Sequence, residues 1–253
     1  MPYLYETEHI NYADYASGAV FYGLSGTPTF PIRLAGEMFD RCAARLDRPG
    51  LYAIYDPCCG SGYLLATLAY FHWDEIGALI GSDVDERALS LAEANLSLLT
   101  VEGLDRRIAQ IEQMGREYGK PSHQEALESA GRLKAQLIEH LKGHTISTHI
   151  FCADATDAQA LDAGLQKQEI DIVLTDLPYG QHSVWQTVRP TPWEHDDPTW
   201  HMLDALKKVI APHTMLAIAS DKAQTAAHKG YRRLERFKLG KRQITLLQIA
   251  RGT

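Results

Sequence analysis

Ile54-Tyr55-Asp56-Pro57-Cys58-Cys59-Gly60-Ser61-Gly62-Tyr63-Leu64-Leu65 reads as a strand, a glycine turn and the first turn of a helix. Gly60 and Gly62 let the backbone bend tightly and approach a ligand, and the free N–H groups that open the helix can receive an anionic group such as a carboxylate. A dinucleotide fingerprint would carry a third Gly or Ala three residues after Gly62, where Leu65 stands. Asp56 at the strand end argues against a pyrophosphate and for a cofactor that carries an ammonium. S-adenosyl-L-methionine has both an ammonium and a carboxylate on its amino-acid tail. On that reading Asp56, Cys58, Gly60, Ser61 and Gly62 hold the methionine end; a glycine turn with no ligand is the alternative.

A second signal lies at Asp171-Ile172-Val173-Leu174-Thr175-Asp176-Leu177-Pro178-Tyr179-Gly180, an apolar strand ending in an acid, a proline and an aromatic. It resembles the Asp/Asn-Pro-Pro-Tyr/Phe signature of methyltransferases that modify planar amino groups, in the Leu-Pro, Gly-terminated form of guanine-N2 RNA methyltransferases. An exocyclic amine with its lone pair delocalised into a ring is a poor nucleophile until acceptors orient its protons. Asp176 and a carbonyl of the Leu177-Pro178 turn can supply those acceptors, and Tyr179 a ring on which a base stacks. An ordinary proline turn is the alternative, but two such signals in the expected order make coincidence a poor account.

Ile76 to Asp83 reads as a further strand, placing Asp83, with Val84 beside it, where a carboxylate binds ribose hydroxyls. Asp85 reads as the N-cap of a helix with Leu89, Ala92, Leu96 and Leu99 on one face. Ile146 to Cys152 reads as another strand. Asp154 and Ala155 follow at the position that lies near the adenine in this fold, with a solvated cap as the other reading of Asp154. A fifth strand at Met215 to Ser220 follows a helix capped by Asp197 with Pro198 at its first position. Strand-like runs around Leu239-Gly240-Lys241 predict a closing antiparallel hairpin. The expected fold is α/β: a Rossmann-like, doubly wound, seven-stranded sheet with ligands at the carboxyl ends of its strands.

The 253 residues, 45% hydrophobic, suit one domain with embellishments. Residues 1–46 form an N-terminal extension with an amphipathic helix bearing Arg33, Arg41 and Arg45. Residues 101–144 form a helical-hairpin insertion broken at Gly119-Lys120-Pro121, with Ala126, Ala130, Leu133, Leu137 and Leu141 facing the core. No apolar run reaches spanning length and no basic leader precedes an apolar stretch, so a soluble, cytoplasmic protein is expected. Four cysteines are too few for a disulfide scaffold, and adjacent Cys58 and Cys59 lack zinc-pair spacing.

Taken together, Pro31-Ile32-Arg33-Leu34-Ala35, Asp56 to Leu65, Ser82 to Asp85, Gly119-Lys120-Pro121-Ser122 and Val173 to Gly180 resemble the AviRa-type avilamycin-resistance methyltransferases over nearly the whole chain. The resemblance implies S-adenosyl-L-methionine as cofactor and a guanine of 23S ribosomal RNA as target. Methylation of another planar amine (tRNA guanine N2, a protein glutamine, a small molecule) and a non-catalytic RNA-binding module are the rival readings. A formal net charge of −7 does not favour a polyanion. From Lys222 onward, however, nine Lys and Arg face Glu235 alone. Arg232, Arg233, Arg236, Lys238, Lys241 and Arg242 are therefore candidates for RNA phosphates, or a solvated surface. Arg33, Trp185 and Arg189 are further candidates near the substrate. His182, His195, Asp196 and His201 match no ligand spacing, and methyl transfer needs no metal, so none is expected.

Overall fold

The computed structural model describes residues 3–23, 29–48, 50–178, 185, 197–222 and 224–250. Strands β1 (Tyr52–Asp56), β2 (Ile76–Asp83), β3 (Ser147–Cys152), β4 (Ile172–Asp176), β5 (Met215–Asp221), β6 (Tyr231–Leu239) and β7 (Arg242–Ile249) form one sheet in the order β3-β2-β1-β4-β5-β7-β6. The first five are parallel and β7 runs antiparallel to both neighbours, as the sequence predicts. Because side chains alternate along a strand, the central strands feed two cores at once. Ile54, Leu79, Leu174 and Ala217 point to one side, and Tyr55, Ile80, Val173 and Leu216 to the other.

The first side is covered by α1 (Ile32–Ala43), α2 (Tyr63–Phe71), α3 (Glu86–Ser97), α4 (Val101–Tyr118) and α5 (Pro121–His140), the second by α6 (Ala158–Leu165) and α7 (Pro198–Val209). The predicted caps hold. The Asp85 and Asp197 side chains accept from the N–H groups of Arg87 and Thr199. The insertion breaks where read: Gly119 ends α4 in the left-handed region at φ 62° and Pro121 opens α5. Ala130, Leu133 and Leu137 enter the same core as α1 to α3. No helix among the described residues is long and apolar enough to cross a membrane.

The N-terminal extension is stitched down by polar side chains that the sequence reading did not single out. Glu37, fully buried on α1, accepts from the backbone N–H groups of Leu4, Tyr5 and Glu6. Arg107 on α4 donates to the carbonyls of Val20 and Ala19, its guanidinium 4.2 Å from the Tyr22 ring centroid. Asn95 on α3 clasps Tyr22 from both sides, accepting from its N–H at 2.8 Å and donating to its carbonyl at 2.9 Å.

Candidate active site

Every parallel strand that reaches the crevice ends in or near an acid. Asp56, Asp83 and Asp176 are the last residues of β1, β2 and β4, and Asp154 follows β3 by two residues. Parallel pairing brings all four to the carboxyl edge of the sheet. Between β1 and α2 the glycine turn holds Gly60 at φ 52° and Gly62 at φ 66°, conformations that L side chains rarely adopt. A Cβ at Gly62 would come within 3.0 Å of Ala92, whereas at Gly60 it would enter open space, so the turn leaves room beside Gly60.

Asp56 is almost wholly buried and accepts from the Cys58 N–H at 3.0 Å. Burial pushes its carboxyl up to about 7, and the neighbouring Asp83 and Asp176 charges add to the rise. Asp83 accepts from the Gly60 N–H at 2.8 Å and the Asp85 N–H at 3.0 Å, which ties the β2 end to the glycine turn; burial raises it despite these donors. Carboxylates crowded together at the cost of their own ionisation make a fitting receptor for a positively charged ligand, and the open space at Gly60 lies in the same turn. These residues fit the ammonium and the methionine tail of S-adenosyl-L-methionine. Asp154 is buried at 6% exposure, its Oδ1 accepting from the N–H and hydroxyl of Thr156. The solvated-cap reading is corrected: α6 is capped by Asp157 instead. Ala155 is buried, and Ser61 and Val84 are half-buried. Burial lifts the Cys58 and Cys59 thiols well above their ordinary value, which keeps them neutral packing groups.

At the end of β4 the Leu177 N–H bonds the Ala219 carbonyl, and the Pro178 carbonyl accepts from the Gln224 side chain at 3.0 Å. With one bond made, that carbonyl keeps a second lone pair, so the turn retains acceptor capacity. Asp176 Oδ2 lies 3.7 Å from Arg242 Nη2, and the Arg242 guanidinium stands 5.2 Å from the Phe30 ring centroid. Tyr179 and Arg189 lie outside the described residues, as do His182, His195 and Asp196. Trp185 is half-buried against the α6–α7 core, its indole N–H without a hydrogen-bond partner among the described residues.

The basic candidates are divided by the sheet. Arg233, Arg236 and Lys238 pair with Leu247, Thr245 and Gln243 and share one face; Arg232 and Glu235 lie on the other, with a register shift between Arg233 and Glu235. Arg236 lies midway along the strand. Lys238, Lys241 and Arg242 sit at the hairpin end level with Asp221, at the acidic edge. Arg232 and Arg233 sit at the opposite end, about 20 Å away at roughly 3.4 Å per residue. Glu235, the acid within the stripe, is ion-paired by Arg41 and Arg45. Arg33 is occupied within the protein, donating twice to the Glu6 carbonyl and stacking over Tyr3.

Asn95 is the residue of this region that the sequence reading missed. Besides Tyr22 it bonds the Ser61 carbonyl at 2.8 Å, so one buried side chain joins the extension to the cofactor turn. The available signal was an amide on the buried face of α3.

Known proteins resemble this chain along almost its whole length. A family model described as rRNA methyltransferase AviRa matches residues 1–242. The chain is 37% identical over 248 residues to the 23S rRNA (guanine(2535)-N(1))-methyltransferase of Streptomyces viridochromogenes, covering 98% of this chain and 96% of that protein. Crystal structures of the rRNA methyltransferase AviRa from the same organism, at 1.5 and 2.4 Å, superpose with TM-scores of 0.85 and 0.84 at 35% and 37% identity. Each covers 98% of this chain and 96% of the other.

Proposed function

Since the chain belongs to the AviRa family of ribosomal RNA methyltransferases, we infer that it transfers a methyl group from S-adenosyl-L-methionine to a guanine nitrogen of 23S ribosomal RNA. The observation that carries this reading is the convergence of Asp56, Asp83, Asp154 and Asp176 around the glycine turn at one sheet edge. Asp56 and the Gly60–Gly62 turn take the ammonium and carboxylate of the methionine tail, Asp83 with Val84 the ribose, and Asp154 with Ala155 the adenine. The bound cofactor supplies an electrophilic methyl group on a sulfonium.

The relative's name specifies guanine N1, a ring N–H, where the sequence motif pointed to an exocyclic amine. Both nitrogens have a delocalised lone pair, and both need an acceptor for the proton they lose. Asp176 is that acceptor, with Arg242 as its counter-charge, Leu177 tying the turn to β5 and Pro178 tying it to Gln224 just beyond that strand. With the cofactor bound, the Asp176 carboxylate would take the proton that the guanine nitrogen loses on methylation and pass it on to water. Positioning does most of the work. Lys238, Lys241 and Arg242, at the hairpin end beside this edge, are the cations best placed for RNA phosphates. Such an enzyme acts where ribosomal RNA is, in the cytoplasm, and its product is expected to raise avilamycin resistance.

Mass mapping of methyl groups on 23S ribosomal RNA, from cells with and without the protein, tests the reading. One guanine should gain one methyl group. Cofactor binding without methylation of any RNA would point instead to another planar amine or to a non-catalytic binder.

A further inference from the structure

Glu6, Asp40 and His72 come together from the N-terminal segment, α1 and the C-terminal cap of α2. Because α2 begins at the glycine turn, its nine residues carry His72 about 14 Å along the helix axis, away from the acidic edge. One donor atom of each of the three lies within 4.8 Å of the others. His72 is more than nine-tenths buried, and its Nε2 has no hydrogen-bond partner among the described residues. Glu6 Oε1 is 3.7 Å from that nitrogen, beyond hydrogen-bond reach. The ring's Nδ1 is 3.3 Å from Glu75 Oε1 and 3.8 Å from Asp40 Oδ1, and the Asp40 carboxylate stays within 4.8 Å of the cluster's other donor atoms. The space exists because residue 36 of α1 is glycine: a Cβ there would collide with Glu6 Oε1 and come within 3.1 Å of His72 Nε2.

We propose that Glu6, Asp40 and His72 bind a divalent transition-metal ion of the Zn²⁺ class, which fastens the N-terminal segment to α1 and α2. Two metal–ligand bonds of about 2.0–2.2 Å at a tetrahedral angle set their donor atoms roughly 3.3–3.6 Å apart, so the 3.7 Å between His72 Nε2 and Glu6 needs only a small adjustment, while the Asp40 carboxylate, now 3.8 Å from Nδ1, turns toward the Nε2 side. An imidazole nitrogen with two carboxylates suits a borderline ion; Mg²⁺ and Ca²⁺ take oxygen ligands. A metal-bound histidine gives its other ring N–H to a carboxylate, the place Glu75 occupies. Three carboxylates around one imidazole supply the compensating charge. Glu6 is held in position by its own backbone: its N–H bonds Glu37 at 3.0 Å and its carbonyl receives Arg33. The ion takes no part in methyl transfer, which occurs at the far end of α2.

The test uses chelator-treated full-length protein carrying Cys152→Ser, because Cys152 is an exposed thiol. Zn²⁺ is titrated against a chromophoric chelator, with Mg²⁺ as comparison. One equivalent of Zn²⁺ should bind with micromolar or tighter affinity and raise Tm, while Mg²⁺ should do neither. Asp40→Asn and His72→Gln should each weaken uptake at least tenfold. Where His72→Gln does not fold, the ¹⁵N-histidine NMR spectrum of the folded parent decides, because the His72 Nε2 resonance must shift on Zn²⁺ addition. Absence of Zn²⁺ uptake, uptake undiminished in Asp40→Asn, or an unmoved His72 resonance each overturns the site.

Discussion

Asp56 places a carboxylate where the fold gives it little water, and that has a signed consequence. Its folded-state value of about 7 lies above the ordinary carboxylate range, so the unliganded protein loses Asp56's contribution to stability as pH rises from about 4 to 7. Asp56→Asn keeps an acceptor for the Cys58 N–H while removing the charge, and should raise the Tm of the unliganded protein at pH 8 by about 2–4 °C per kcal/mol gained. The same change should cost at least tenfold in cofactor affinity. In the native protein cofactor affinity should fall about tenfold per unit as pH drops below 7, since the ammonium requires the ionised form. Calorimetry from pH 5.5 to 8 checks both signs; affinity independent of pH would remove Asp56 from the ammonium site. At Asp176 the expectation is a split: Asp176→Ala should abolish single-turnover methylation and leave cofactor affinity within a few-fold. A parallel loss of cofactor binding would show that Asp176 also holds the cofactor.

At the scale of elements, the β6–β7 hairpin separates cations that sequence proximity groups together. Lys238→Glu with Lys241→Glu should weaken RNA binding and flatten its salt dependence by nearly one unit of slope per lost phosphate contact. Arg232→Glu with Arg233→Glu, at the remote end, should change both much less. Binding measured across a salt series on protein-free ribosomal RNA distinguishes them, and equal slopes for the two pairs would show that the hairpin's orientation does not govern the contact. Glu235, the acid within the hairpin, pairs with Arg41 and Arg45 and so docks the hairpin onto α1.

For the whole molecule, the extension, the insertion and the cofactor turn behave as one connected body. Asn95 joins Tyr22 to Ser61, Arg107 of the insertion holds Ala19 and Val20, and the Tyr63 hydroxyl at the start of α2 donates to the Tyr15 carbonyl. Asn95→Ala leaves three backbone groups without their partner and should cost about 1–3 kcal/mol of stability. It should also weaken cofactor binding, although Asn95 is not a proposed cofactor ligand. Chemical denaturation and cofactor titration of the same variant test the coupling: a destabilised variant with native affinity would make the clasp purely structural.

The sheet, its hairpin, the caps at Asp85 and Asp197, and the helical insertion were legible in the chain because each rests on local physics: period-two and helical periodicity, a glycine forced to positive φ, a proline at a helix start. The four edge acids were legible for the same reason, each lying at or just beyond a strand end. What only tertiary structure decided are matters of long-range partnership. Pairing register set which basic residues share a face and which end of the hairpin meets the acidic edge. Burial among other acids raised Asp56, and folding joined Glu37, Asn95 and Arg107 to backbone more than 30 residues away. No periodicity encodes those contacts, because their geometry exists only once distant segments have closed on one another.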